Sequence, residues 1–405
     1  MIKEVKIGDY CLVGDGTHSS IKRIDSGVMY LSSKNFSKEG MVLEKVDYIS
    51  EEDYPKYFKE SSTALTKPKE DDLLFSIIGS IGGVYLYKKD DNFGLSSSVA
   101  MLRVNSKELD AHYIFYYLKS TFLQKWAEII KSGSAQGFLS LAMIRGLPLI
   151  LPPLKTQKKI ASILSNYDKL IENNNQRIKL LESMAEEIYK EWFVRLRFPD
   201  FDKVEILDGV PFGWKEKKIK DFGVVITGKT PSTTNQKYYG GNIPFIKTPD
   251  MRKYPYVDSS NEYLTKEGAN SQNNKFLDKN TLIVGCIGSK AGAYSLVQEK
   301  SQTNQQINAI KFFKDEYTFY MYNFASNFSV ILNLLGNSGS TMTNVNKSKF
   351  ENIDVLMPSF EVLSQYHLIV KDNFEIILNL QQKNKNLKET RDLLLPKLIH
   401  GTLKI

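Results

Sequence analysis

The apolar positions along the chain change period along each of two long stretches. Early runs such as "GVMYLSS", "DLLFSIIGS" and "SVAMLRV" are short and β-rich, and turns such as "VGDGTHSS" separate them. Period-two alternation bounded by Gly, Ser and Thr predicts strands. Near residue 111 the period turns helical, in "AHYIFYYLKSTFLQKWAEII". A polar Gly/Ser loop and a short apolar strand ending at Pro152 follow. Then Gln157 to Trp192 runs without a single Gly or Pro, which predicts one unbroken helix.

That helix carries a seam. Ile160, Leu164, Tyr167, Ile171, Asn174, Ile178, Leu181, Ala185, Ile188 and Trp192 alternate spacings of four and three, and only Asn174 cannot offer apolar surface. This is a heptad stripe. Adding 206 to each number gives Tyr366, Val370, Asn373, Ile377, Leu380, Asn384, Leu387, Arg391, Leu394 and Leu398, most of which also suit a seam. Pro396 is expected to stop this second helix, because proline has no N–H and clashes with the preceding turn.

The same shift relates much more of the chain. "SGSAQGFLSLAMIRGLPLILPP" from Ser132 matches "SGSTMTNVNKSKFENIDVLMPS" from Ser338, and "FYYLKSTF" from Phe115 matches "MYNFASNF" from Met321. Upstream the shift drifts to 209, where "DLLFSIIGS" meets "TLIVGCIGS", and to 215 at Tyr48 and Tyr263. Small insertions explain the drift. The chain therefore reads as an internal duplication of one α+β unit followed by a long helix. Helices about 50–55 Å long cannot bury their seams within one unit each. They are expected to pair with each other, antiparallel, with Asn174 and Asn384 fixing register.

Composition narrows the function. The chain has 405 residues, 42% hydrophobic and 25% charged, a length that suits two or three domains. Net charge is +8, which points to a polyanion partner. Residues 1–151 nevertheless carry 19 basic and 19 acidic side chains, so a basic surface has to be assembled by folding. The start, "MIKEVKIGDYC", lacks the apolar core of a signal peptide, and no run approaches a membrane span. Cys11 and Cys286 are isolated, so neither a disulfide framework nor a zinc site is expected, and a reducing cytoplasm fits. His18, His112, His367 and His400 lack ligand spacing. Asp71–Asp72 and Asp90–Asp91 read as solvated turns. Gly223–Thr230, "GVVITGKT", matches the P-loop pattern formally. Its middle residues are β-branched and Pro231 follows, which suits a strand rather than a loop opening a helix. The aligned "LVGDGTHS" of the first copy has no lysine.

Two such units carrying "GDGTH", "TGKTPS", "LPLILPPLKTQKKIASILSNYDKLI" and a terminal "LLLPKLIHGTL" resemble the specificity subunits of type I restriction–modification enzymes. The second copy keeps a glutamine, Gln365, but lacks "ASILSNYD". The resemblance implies an α+β fold with two target recognition domains in pseudo-twofold repeat, joined by two long antiparallel coiled-coil helices. The implied divisions are 1–153 and 197–358 for the recognition domains, with 154–196 and 359–405 as helical spacers. It also implies that double-stranded DNA is read at a bipartite, asymmetric site with an unread gap. Two methyltransferase subunits and the restriction (translocase and nuclease) subunits would dock on the chain. S-adenosylmethionine, ATP and Mg would sit on those partners, with no cofactor, metal or catalytic residue on this chain. Three other readings stay open: a recognition chain of a related two-component restriction–modification enzyme, a coiled-coil scaffold without DNA, and an ATPase resting on Gly223–Thr230.

Base and phosphate contacts need polar or basic side chains on loops where backbone can approach closely. The first copy offers Thr17, His18, Ser19, Lys34, Asn35, Ser80, Ser97, Ser98, Ser134 and Gln136. The second offers Lys229, Thr230, Ser232, Lys247, Arg252, Ser289, Lys290, Asn304, Gln305, Gln306, Ser340 and Thr341. "TNQQ", Thr303–Gln306, is the preferred adenine reader, since Asn and Gln can pair bidentately with that base.

Overall fold

The computed structural model describes the chain apart from residues 1–2, 60–64, 134–136, 252–253, 337–342 and 404. The first copy contains strands β1 Lys3–Lys6, β2 Cys11–Asp15, β3 Val28–Leu31, β4 Asp47–Ile49, β5 Leu73–Ser76, β6 Val84–Leu86, β7 Phe93–Leu95 and β8 Val99–Val104. Helices α1 Ala111–Lys119 and α2 Thr121–Gly133, strand β9 Pro148–Leu151 and the long α3 Leu154–Tyr189 complete it. The second copy runs β10 Lys215–Lys218, β11 Gly223–Thr227, β12 Tyr239–Ile246, β13 Tyr263–Leu264, β14 Leu282–Gly285, β15 Tyr294–Leu296, β16 Gln302–Thr303 and β17 Ile307–Phe312. It ends with α4 Tyr317–Phe324, α5 Phe328–Gly336, β18 Asp354–Met357 and the long α6 Phe360–Ile399.

Sheet topology repeats strand for strand. The four-stranded sheets have orders β2-β8-β5-β6 and β11-β17-β14-β15, and the three-stranded sheets have orders β4-β3-β7 and β13-β12-β16. In each three-stranded sheet one pair is parallel, β3 with β7 and β12 with β16. The outlying pairs are β1 with β9 and β10 with β18. All four residues of β5 are buried because its sheet is covered on both faces. Leu73 and Phe75 join the cluster that holds Tyr113 and Tyr117 of α1, while Leu74 faces Leu31, Phe36 and Phe93. In the second copy Leu282 and Val284 take the helix side, and Ile283 takes the other.

Contacts divide the chain into two compact units, Met1–Leu170 with Leu387–Ile405, and Ile171–Asn386. Each unit contains part of both long helices. In the first unit Ile160 and Leu164 of α3 share a core with Leu395, Leu398 and Ile399 of α6, and Asp168 pairs with Arg391. In the second, Asn174 donates to Asn384 at 2.8 Å, and the Tyr366 hydroxyl donates to the Ala185 carbonyl at 3.2 Å. Partner numbers fall as α3 advances, from 391 to 384 to 366, so the helices run antiparallel. None of Ile160, Leu164, Tyr167, Ile171, Asn174, Ile178, Leu181, Ile188, Val370, Ile377, Leu380, Asn384, Leu387 and Leu394 is exposed. The stripe is also wider than a strict seam: Leu363, Phe374, Gln381 and Leu395 are buried with it.

Four expectations need correction. The first long helix, expected to run unbroken to Trp192, is α-helical only to Tyr189 and closes through a wider π turn, Lys190–Val194. Pro396 does not stop the second, which runs on to Ile399 and retains the His400 N–H bond to the Pro396 carbonyl. An interior proline costs about 3 kcal/mol. Leu395, Leu398 and Ile399 bury around it, at about 1.5–3 kcal/mol each, which outweighs that cost. Gln365 is exposed and does not stand in for Gln157. The 206 shift puts the buried Leu363 in that place, whereas Gln157 donates to the Glu108 and Pro152 carbonyls and accepts from the Asp110 N–H. Asp72 is not solvated: it is 1% exposed and holds Arg103 through two bonds of 2.7 and 2.8 Å.

Candidate nucleic-acid interface

The polar loops converge where the chain leaves β2 and β11. In the first unit the Gly16 N–H donates to the Val99 carbonyl, Thr17 to Leu95, Ser96 to Leu31 and Ile77 to Ser98. In the second, Gly228 donates to Ile307, Lys229 to Thr303, Asn304 to Ile246 and Cys286 to Gln306. The two sets are the same four bonds. They equate Gly16 with Gly228, one residue away from the alignment of "LVGDGTHS" with "GVVITGKT", which is thereby corrected. Only glycine fits at these crossings: a Cβ on either would lie 2.1 Å from a carbonyl oxygen, that of Leu95 or Asn304. Gly223–Thr227 is strand β11, as its β-branched residues require.

The side chains on this common backbone differ. The first unit presents Ser96, Ser97 and Ser98. The Ser96 and Ser98 hydroxyls meet at 2.7 Å, and the latter also accepts from the Ser33 N–H. The second presents Asn304, Gln305 and Gln306. Asn304 Nδ2 donates to Gln306 Oε1 at 3.0 Å, and the Thr230 hydroxyl donates to Gln305 Oε1 at 2.7 Å.

The remaining candidates distribute unevenly. Thr17 is buried and accepts the Ser19 N–H, and His18 is exposed beside Asp15 at 2.9 Å. Lys34 pairs with Asp47 at 3.0 Å. Asn35 is 1% exposed, and its amide is spent within its own loop on Ser32, Val42 and Lys45. Ser80 is exposed, and its carbonyl accepts from Ser76. In the second unit Lys229, Ser232, Ser289, Lys290 and Gln305 are exposed, whereas Lys247 is held by Glu262 at 2.7 Å. Ser134, Gln136, Arg252, Ser340 and Thr341 lie outside the described residues.

The structure adds two residues that spacing could not reveal. Buried Gln272 donates to the Lys229 carbonyl at 2.7 Å and shares its amide nitrogen with Gln302 Oε1. Gln302 in turn donates to the Ala269 carbonyl at 2.9 Å. The Lys229 loop is thus pinned from residues 43 and 73 positions away. Burial pushes the thiols of Cys11 and Cys286 up to about 12, which keeps them protonated and inert. Among the described residues no cluster of His, Cys, Asp and Glu could hold a metal ion, and no helix is long and apolar enough to cross a membrane.

The family model for the type I restriction modification DNA specificity domain matches twice, over residues 4–183 and 211–391. The chain belongs to this family. A specificity subunit of the type I restriction enzyme HindI from Haemophilus influenzae is 29% identical, over 83% of this chain and 87% of its own. The MjaIX specificity subunit from Methanocaldococcus jannaschii is 25% identical, over 73% and 69%. The type I restriction–modification S subunit from M. genitalium shares the fold with a TM-score of 0.56 at 15% identity, covering 98% of this chain and 96% of that one. As a type I specificity chain it recognises DNA sequence, and it is not itself an enzyme. In this specificity chain each family match takes in one recognition unit and most of one long helix, so the duplication read from the 206 shift is the family's own repeat.

Proposed function

We propose that the loop clusters at Gly16 and Gly228 are where the chain meets duplex DNA, each copy reading one part of an asymmetric, bipartite site with an unread gap. The observation that carries this reading is the pair of matching backbone frameworks bearing Ser96–Ser98 in one copy and Asn304–Gln306 in the other. A shared framework fixes the approach to the duplex, and different side chains then select different bases. The recognition domains are taken as 1–153 and 197–358, with 154–196 and 359–405 as spacer helices that dock two methyltransferase subunits. Restriction subunits join that assembly in the cytoplasm, and S-adenosylmethionine, ATP and Mg are bound by those partners. The test is selection from a random-sequence duplex pool with the wild type and with Asn304, Gln305 and Gln306 all replaced by serine. The expected result is altered selection in one part of the site with the other part unchanged. Alteration of both parts, or of neither, overturns the assignment.

A further inference from the structure

The hydrogen bonds around Gln306 fix which end of its amide faces outward, and that end dictates the kind of base it can read. A backbone N–H can only donate, so it fixes the polarity of whatever it meets. The Gln306 N–H donates to Asn304 Oδ1 at 3.2 Å. That settles the orientation of the Asn304 amide, so its Nδ2 must be the donor to the Gln306 side chain, 3.0 Å away. The receiving atom is therefore Oε1. Buried Thr248 turns its hydroxyl to the same oxygen, at 3.5 Å. Asn304 is itself 7% exposed and held by its own N–H on the Ile246 carbonyl, so the orienting group is fixed. Gln306 Oε1 is spent inside the protein, and its Nε2, with two hydrogens, is the end left for a ligand.

Bidentate recognition of adenine needs both ends of the amide, an acceptor for N6 and a donor for N7. That is unavailable here, which removes the adenine reading suggested by "TNQQ". An NH2 group alone matches adjacent acceptors, and in the major groove only guanine presents two, N7 and O6. Resting on the assignment of this cluster to DNA contact, we propose that Gln306 reads guanine through Nε2, and that Asn304 is the positioning residue that makes it a donor.

Two isosteric changes test this in the full-length chain with a random-sequence duplex pool. Wild type is expected to select guanine at one position, by about tenfold over adenine, and Gln306→Ala to flatten that position. Asn304→Asp still accepts the Gln306 N–H, but its second oxygen now demands a donor, so the Gln306 amide turns over. Selection at that position is then expected to move to adenine or cytosine, whose amino groups donate. Gln306→Glu, which can only accept, is expected to move it to cytosine without touching Asn304. If Gln306→Ala leaves every position unaltered, Gln306 reads no base and this proposal falls, whereas the DNA-reading assignment of the cluster falls only if the triple serine variant also leaves selection unaltered. If that position flattens but wild type selects adenine there, or guanine survives both acidic variants, the orientation argument fails while the DNA-reading assignment stands.

Discussion

The two units solve one packing problem by different chemistry. Shifting by 206 converts Tyr116, Asp168 and Arg391 of the first unit into Tyr322, Phe374 and Ala185 of the second. In the first unit the Tyr116 hydroxyl donates to Asp168 at 2.6 Å, and Asp168 holds Arg391 across the helix pair. In the second, Phe374 stacks on Phe319 at 4.2 Å and meets the edge of Tyr322, whose hydroxyl turns to Glu182 at 2.7 Å. An ionic triad and an aromatic cluster thus occupy equivalent places in one duplicated scaffold. Burial raises the Tyr116 and Tyr322 hydroxyls well above their usual range, with Asp168 and Glu182 adding to it, so both tyrosines remain neutral donors. The contrast teaches that the fold needs the place filled and its polar atoms satisfied, and that it tolerates either means.

The aromatic version is the more costly to break. Phe374 is fully buried, and Phe374→Ala leaves a cavity among Tyr256, Phe319 and Tyr322. A loss of about 3–5 kcal/mol is expected, lowering the unfolding midpoint of that unit by roughly 10 °C. Calorimetry checks it, and a shift of only a degree or two contradicts the packing described here.

The ionic version should cost less singly and less still when removed whole. The Arg391 and Asp168 side chains are 17% and 31% exposed, so the 3–5 kcal/mol typical of a broken buried pair is reduced to about 1–3 kcal/mol. Asp168→Phe strands Arg391 and the Tyr116 hydroxyl, and Arg391→Ala leaves Asp168 with the Tyr116 hydroxyl alone. Asp168→Phe with Arg391→Ala installs the second unit's residues at these two positions and is expected to be less destabilising than Asp168→Phe alone, because no charge is left unpaired. A double-mutant cycle measures this. Full additivity of the two losses breaks the comparison.

How far the chain can be read without coordinates differs between scaffold and site. The seam was legible because helical periodicity survives any error of alignment, and the duplication was legible because the 206 shift spans the α1/α4, β9/β18 and α3/α6 matches together. Strand register was less legible. A one-residue slip costs little in apparent similarity but reverses every side chain, and only the bonds at Gly16 and Gly228 settled it. Asp72 looked like a turn because its partner, Arg103, lies 31 residues on. The fixing of Lys229 by Gln272 and Gln302 joins three distant segments through buried amides, and no local pattern encodes that. Loop chemistry named candidates but could not say which were spent internally, as Asn35 and Asn304 are.

The smallest expected effect lies in the charges beside the two loop clusters. Lys229 is exposed, and no carboxylate among the described residues pairs with it, whereas Lys34 is bound to Asp47. Placing a free ammonium against phosphate releases a counterion at once. A lysine already paired must first leave its carboxylate, and the anion left behind repels the same phosphate. Lys229→Ala is therefore expected to reduce the salt dependence of random-duplex binding by about one phosphate contact, a change of roughly 0.9 in the slope of log K against log salt. Lys34→Ala should change it less. The measurement is titration of one random duplex over a range of salt concentrations with each variant. Equal slopes for the two variants mean that Asp47 gives up its lysine at no cost on binding. A larger change for Lys34 places the greater share of phosphate contact in the first unit and inverts the electrostatic half of the comparison.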